Sequence, residues 1–326
     1  MRRFPRSTQV ASVVLVALVI ALPAPVRAQA YPAKPLRLVV PYPPGGVTDI
    51  LGRSLGQALG AALGQSVVIE NRAGANGAIG NEAVARSAPD GYTLTVGAFS
   101  THVLNPLLYK LAYDPVKDFT PIGMVGVTPL VIIVNNQLPV TTVGELIAWL
   151  KGQGGNAHYG SYGNASAGHL AGELFKSMAG VAVTHVPYKG SAPGQAAVMA
   201  NEIPLMFSDM SAMPHARAGR VRALAVTGAK RTVSFPDVPT IAESGLPGYD
   251  VYGWFAIYGP AGLPQSVVDR LAAELARVVS ANEMNQRIVS LGLEPATSTP
   301  AELAALMRAD RDKWSKVIAE AGIKVE

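Results

Sequence analysis

Three stretches of this 326-residue chain combine glycine, hydroxyl side chains and the start of a helix. They are Pro44-Gly45-Gly46-Val47-Thr48, Ala98-Phe99-Ser100-Thr101 and Gly160-Ser161-Tyr162-Gly163-Asn164-Ala165-Ser166. Glycine lets a backbone approach a ligand and turn its N–H groups toward it, and a helix N-terminus adds partial positive charge. Any α/β protein needs such turns, so one alone says little. Three of them, rich in hydroxyls and lacking a nucleophile–base pair, predict capture of a carboxylate without catalysis. Hydrogen bonds to a charged group contribute about 1.5–3 kcal/mol each. Three or four therefore reach the roughly 8 kcal/mol of a micromolar complex with no lysine or arginine in the site.

Other chemistry finds little support. The chain has no G-x-S-x-G elbow, P-loop, H-E-x-x-H or G-x-G-x-x-G motif. It has no cysteine, which excludes disulfides, thiolate metal sites, a cysteine nucleophile and a lipidated cysteine. The five histidines, 102, 158, 169, 185 and 215, show no metal-ligand spacing. His169 and Glu173 stand four apart on a predicted helix, where a structural hydrogen bond outweighs a metal site. Asp49 and Asp209 could pair as acid and base. Asp49, however, sits in a first helical turn where its charge suits the dipole, so supporting roles are expected for both. An exported hydrolase using Ser161 or Ser100 with His102 is the enzymatic alternative, and the missing elbow disfavours it. No cofactor and no metal are expected.

The elements that carry these turns alternate. Residues 36–40 read as a buried strand and 48–63 as a helix. Leu51, Leu55, Leu59 and Leu63 recur on that helix beside Gly52, Gly56, Gly60 and Gly64, a pattern for close packing on a sheet. Strands 67–70 and 92–98 flank a helix at 76–87, and Ser100 opens a short helix to about Tyr109. Residues 122–134 form a strand leaving the first lobe. Thr142-x-x-Glu145 is a capping box for a helix at 143–151. Strands are then expected at 158–159, 181–185, 204–208 and 221–227, with helices at 166–179, 191–200 and 211–218. A loop at 229–248 contains one helical turn at 240–244, and 250–258 is a returning strand. Helix 265–280 precedes a last helix capped by Thr299, with Pro300 at its first position and Glu302 three on from the cap. Its apolar face is Leu303, Met307, Trp314 and Ile318. This order predicts an α/β fold with mostly parallel sheets and two lobes joined by two crossing strands. The lobes comprise residues 31–130 plus 252–298, and 131–251. The final helix, 299–326, could pack on either.

The first residues set an address. Arg2, Arg3 and Arg6 precede an apolar run at 9–22 and small residues at Val26-Arg27-Ala28 or Ala28-Gln29-Ala30. This is a secretory signal peptide over residues 1–28, too short for a membrane span. The whole chain carries a net charge of +5. Removing the four arginines of residues 1–28 leaves 23 basic side chains against 22 acidic ones, a net charge of +1. A nucleic-acid partner is therefore not expected. The mature protein of about 298 residues is expected as a free monomer in the periplasm.

The chain resembles the Bug family, the periplasmic solute-binding proteins of tripartite tricarboxylate transporters. The shared stretches include Tyr31-Pro32-x-Lys34-Pro35, Val40-Pro41-Tyr42-x-Pro44-Gly45-Gly46-x-x-Asp49 and Glu70-Asn71-Arg72-x-Gly74-Ala75-x-Gly77. Pro89-Asp90-Gly91-Tyr92, His169-Leu170-x-x-Glu173-Leu174, His185-Val186-Pro187-Tyr188-Lys189-Gly190 and Pro236-Asp237-Val238-Pro239-Thr240 continue the series. The resemblance implies a two-lobed Venus-flytrap fold that closes on a carboxylate and hands it to a small and a large membrane subunit. A ligand-presenting sensory role remains an alternative. By position, the resemblance implies a first-lobe site at Tyr42, Gly45, Gly46, Val47, Thr48, Asp49, Ala98, Ser100, Thr101 and His102. From the second lobe it implies Ser161, Gly163, Asn164, Ser166, Tyr188, Lys189, Gly190 and Asp209. Where the family usually has a third glycine in the second-lobe turn, this chain has Ala165.

Overall fold

The structure, a computed structural model, describes residues 31–323. The expected signal peptide and its cleavage sites lie outside the described residues. In chain order the elements begin β1 (Leu36–Val40), α1 (Val47–Leu63), β2 (Val67–Asn71), α2 (Ala78–Ala85), β3 (Thr93–Ala98) and α3 (Asn105–Leu108). They continue through β4 (Phe119–Val134), α4 (Val143–Gly152), β5 (His158–Ser161), α5 (Ala167–Ala179), β6 (Thr184–Pro187) and α6 (Ser191–Met199). β7 (Leu205–Asp209), α7 (Met213–Arg217), β8 (Arg222–Val226) and β9 (Tyr252–Pro260) follow. The chain ends with α8 (Gln265–Ser280), α9 (Asn282–Ser290), β10 (Glu294–Pro295) and α10 (Pro300–Ala321). Among the described residues no helix is long and apolar enough to cross a membrane.

The strands run in the order β2-β1-β3-β9-β4-β7-β5-β6, with β8 and β10 also paired to β4. Each flank is parallel, β2-β1-β3 on one side and β7-β5-β6 on the other. The centre is antiparallel, because β9 runs against both β3 and β4. β4 belongs to both halves of this two-lobed α/β fold. From Phe119 to Pro129 it pairs with β9, from Leu130 to Val134 with β7, and from Val131 to Val134 also with β8. The latter five residues are buried, as a strand covered on both faces requires. At the changeover, the buried Thr227 hydroxyl meets the Leu130 amide at 2.9 Å and the Val251 carbonyl at 2.6 Å. One side chain thus ties together both chain crossings.

Helix packing follows the sequence patterns. A Cβ on Gly52 would lie 2.7 Å from Val40 Cγ2, so α1 can press against the sheet only because its facing positions are glycine. Both capping boxes form, at Thr142 with Glu145 and at Thr299 with Glu302. α10 packs on β4 and also against α5. Its Trp314 meets the edge of Phe99 with ring centroids 5.8 Å apart, and Asp310 accepts the Trp254 indole N–H at 2.9 Å.

Some expectations moved. The strand expected at 181–185 pairs only from Thr184 to Pro187, because Val181 and Val183 are buried without joining the ladder. The helix after Ser100 is π-helical over Ser100–Leu104 before α3 begins. α9 and β10 were not expected.

Candidate functional site

A cavity of about 350 Å³ lies where the two halves of the sheet meet. Its first wall comes from the turns after β1 and β3. Tyr42 and Ser100 share a hydrogen bond between their hydroxyls at 2.9 Å, and burial pushes the Tyr42 phenol up. Thr48 in the first turn of α1 and Ala98 at the end of β3 belong to this wall, and Asn76, Phe99, Leu104, Asn105, Leu108 and Tyr109 extend it.

A charged network one layer back holds this wall. The Asp49 carboxylate accepts the Gly45 amide at 2.9 Å, Arg53 Nε at 3.1 Å and Asn71 Nδ2 at 2.8 Å. Asn71 Nδ2 also reaches the Tyr42 carbonyl at 3.2 Å. The Arg53 hydrogen bond, helped by Gly45 and Asn71, lowers the Asp49 carboxyl to about 2 against the opposing effect of burial. Asp49 is only 3% exposed and does not face the cavity. The Gly45 amide is therefore already engaged, at a backbone φ of +89° that suits glycine.

The second wall is the turn between β5 and α5. Gly163, Asn164, Ala165 and Ser166 line the cavity. Ser166 caps α5 by accepting the His169 amide at 3.2 Å and donates its hydroxyl to Gly163 O at 2.7 Å. Tyr162, Ala167 and the crossing strands, through Thr128, Gly253, Trp254 and Phe255, add further surface. Sequence reasoning missed these strand residues, and also Asn76, Leu104, Asn105, Leu108 and Tyr109. A hinge strand has no turn signature, and only the large Trp254 beside Gly253 hinted at a shaped surface. No lysine, arginine, histidine, aspartate or glutamate lines the cavity. Among the described residues no group of three or more potential ligands could hold a metal ion.

The other expected residues lie outside the lining. Gly46 and Val47 are exposed at the start of α1. Thr101 and His102 are buried behind the first wall. Thr101 Oγ1 lies 2.9 Å from His102 Nδ1, and the imidazole stacks on Tyr258 at 4.2 Å. Burial pushes His102 down to about 3. Ser100 pairs with Tyr42 rather than with His102. Ser161 is fully buried and bonds to His185 Nε2 at 2.7 Å. Tyr188 packs against Gly160 and Gly194, Lys189 is exposed, and Gly190 precedes α6. The Asp209 carboxylate accepts the hydroxyls of Ser191 and Ser211. His169 Nε2 and Glu173 Oε1 stand 3.9 Å apart, too far for the expected hydrogen bond.

The model of the tripartite tricarboxylate transporter family receptor (TctC) matches residues 51–323. Protein BugT of Bordetella pertussis is 34% identical over 306 residues, covering 93% of this chain and 94% of that protein. R. palustris Rpa4515, solved with adipate, is 38% identical with a TM-score of 0.74, over 90% of this chain and 99% of its own. MatC from Rhodopseudomonas palustris, solved with bound malate, is 31% identical with a TM-score of 0.68, over 88% and 100%.

Proposed function

We propose, on the premise that this chain belongs to the tripartite tricarboxylate transporter receptor family, that its interlobe cavity captures a small carboxylate in the periplasm. The loaded protein then delivers its ligand to the small and large membrane subunits of such a transporter, with no chemical change to the ligand. Residues 31–130 plus 252–298 form one jaw and 131–251 the other, closing about the crossing strands, while α10 spans both.

The observation that carries this reading is the convergence of three helix starts on an uncharged cavity. Thr48, Ser100 and Ser166 stand at the first turns of α1, the π-helical segment and α5, and all three line it. First-turn amides have no backbone partner inside their own helix and can serve an anion, except that of His169, which Ser166 Oγ already occupies. The Thr48 and Ser100 hydroxyls add donors without adding formal charge, while that of Ser166 already donates to Gly163 O. The serine–histidine contact at Ser161 and His185 is buried outside the lining, which leaves the cavity without a nucleophile and base. The relatives solved with adipate and malate set the size range for the first ligands to try.

A thermal-shift screen of the mature protein against C4–C6 dicarboxylates, amino acids and aromatic carboxylates tests this. A ligand at one hundred times its Kd should stabilise the fold by about 2.7 kcal/mol. A screen in which neutral amides of the same acids stabilise as well as the acids would overturn carboxylate capture.

A further inference from the structure

The second wall contains a residue that should not be comfortable there. Ala165 has φ +55°, the left-handed region that favours glycine, and its methyl-bearing backbone lines the cavity. Its amide donates to His169 Nδ1 at 3.1 Å. A backbone N–H can only donate, so Nδ1 carries a lone pair and the imidazole proton sits on Nε2. That proton points toward Glu173, whose Oε1 is 3.9 Å away.

A second imidazole secures the other end of the same turn. His185 stacks on His169 at 3.7 Å with planes 9° apart, and its Nε2 meets Ser161 Oγ at 2.7 Å. Neither ring lines the cavity. Behind them, Glu173 accepts the Tyr159 hydroxyl at 2.7 Å and is paired with Lys176 at 2.7 Å. The carboxylate is thus already compensated without a charged imidazole. Burial pushes His169 down, with Glu173 opposing and Lys176 assisting, and it takes His185 to about 3. Two neutral rings therefore grip the turn at Ser161 and Ala165.

We propose that His169 is a positioning residue for the cavity: its neutral imidazole, by accepting the Ala165 amide, holds a left-handed alanine in the wall and fixes the 163–166 turn against the ligand. This rests on reading the cavity as the carboxylate site. Without the acceptor, the left-handed cost at Ala165 is opposed only by the bonds at Gly163, and the turn relaxes away from the shape that meets the ligand.

The test combines His169→Phe, which keeps an aromatic ring for stacking, with His169→Asn, whose Oδ1 replaces Nδ1 as acceptor. Ala165→Gly is made alone and with His169→Phe. Amide hydrogen exchange of the 162–166 turn is measured without ligand, and adipate and malate are titrated by calorimetry. His169→Phe should speed Ala165 exchange and weaken binding by about tenfold, the factor matching the left-handed cost. His169→Asn, and the double variant in which glycine removes that cost, should stay within about threefold of wild type. Wild-type exchange at Ala165 in His169→Phe overturns the proposal. A loss that neither His169→Asn nor Ala165→Gly repairs also overturns it, since that marks general damage to packing. If the wild-type protein binds neither acid, capture of these acids fails, and the exchange rates alone decide the role of His169.

Discussion

The two walls of the cavity solve one problem by opposite means. The first wall bends through glycine at Gly45, and an ionic network through Asp49, Arg53 and Asn71 then supplies the rigidity that glycine lacks. The second wall bends through Gly163 and then through alanine at Ala165, and neutral imidazoles hold the strain of the alanine. In both, the groups that hold the turn stay one layer behind the surface the ligand would meet. Hydroxyls, amides, aromatic faces and the aliphatic side chains of Leu104 and Leu108 reach the cavity itself, and no charged group does. Support and recognition are thus assigned to different residues, and either can be changed alone.

The largest expected effect comes from removing the ionic support. Asp49→Ala should cost about 3 kcal/mol of stability at pH 7 in urea unfolding, near the low end for breaking a buried pair because Arg53 is half-exposed. The folded carboxyl titrates at about 2 against an ordinary 3.8. Its contribution is therefore present above about pH 4 and is lost as pH falls through 2, where wild type and variant should converge. Equal stabilities at pH 7 would show that glycine alone suffices in the first wall.

Gly46→Val probes recognition next. A Cβ there meets nothing within 4 Å and φ is −79°, so the fold should change by less than about 1 kcal/mol. Carboxylate affinity should fall about tenfold to a hundredfold if the first-turn amides of α1 hold the anion. Wild-type affinity would move the anchor to the second wall. Tyr42→Phe removes one hydroxyl from the Tyr42–Ser100 pair and should weaken binding about fivefold in calorimetry. Smallest of all is Lys189→Met, expected within about twofold because the ammonium is exposed outside the lining. A loss there exceeding that of Gly46→Val would make a salt bridge, and not dipoles, the main attraction.

Local signals in the sequence translated well into structure. Thr142 with Glu145 and Thr299 with Glu302 announce helix starts because the cap and its partner lie three residues apart. The glycine ladder on α1 announces a close-packed face for the same reason. Signals that depend on distant partners did not show. The apolar residues 181–183 look like strand, but only pairing with β5 decides that the ladder begins at Thr184. α9 is too short and polar, and β10 too brief, to stand out. At the site, the turns were legible from their glycines and hydroxyls, including the unusual alanine at 165. The stacking of His169 on His185 was not, since they stand sixteen positions apart, one on α5 and the other on β6. Nor was the part of Trp254 in the cavity, which depends on where β4 and β9 cross.

A cavity walled without formal charge has a consequence for the medium outside the cell. Attraction between exposed ions is screened over about 8 Å at physiological ionic strength and fades further as salt rises. Aligned amides and hydroxyls act at contact distance, inside that length, and no mobile ion fits between them and the anion. The uncharged lining should therefore keep its hold on a carboxylate across waters of very different salinity, whereas a lysine-based trap of equal strength in dilute buffer would lose its grip in brine.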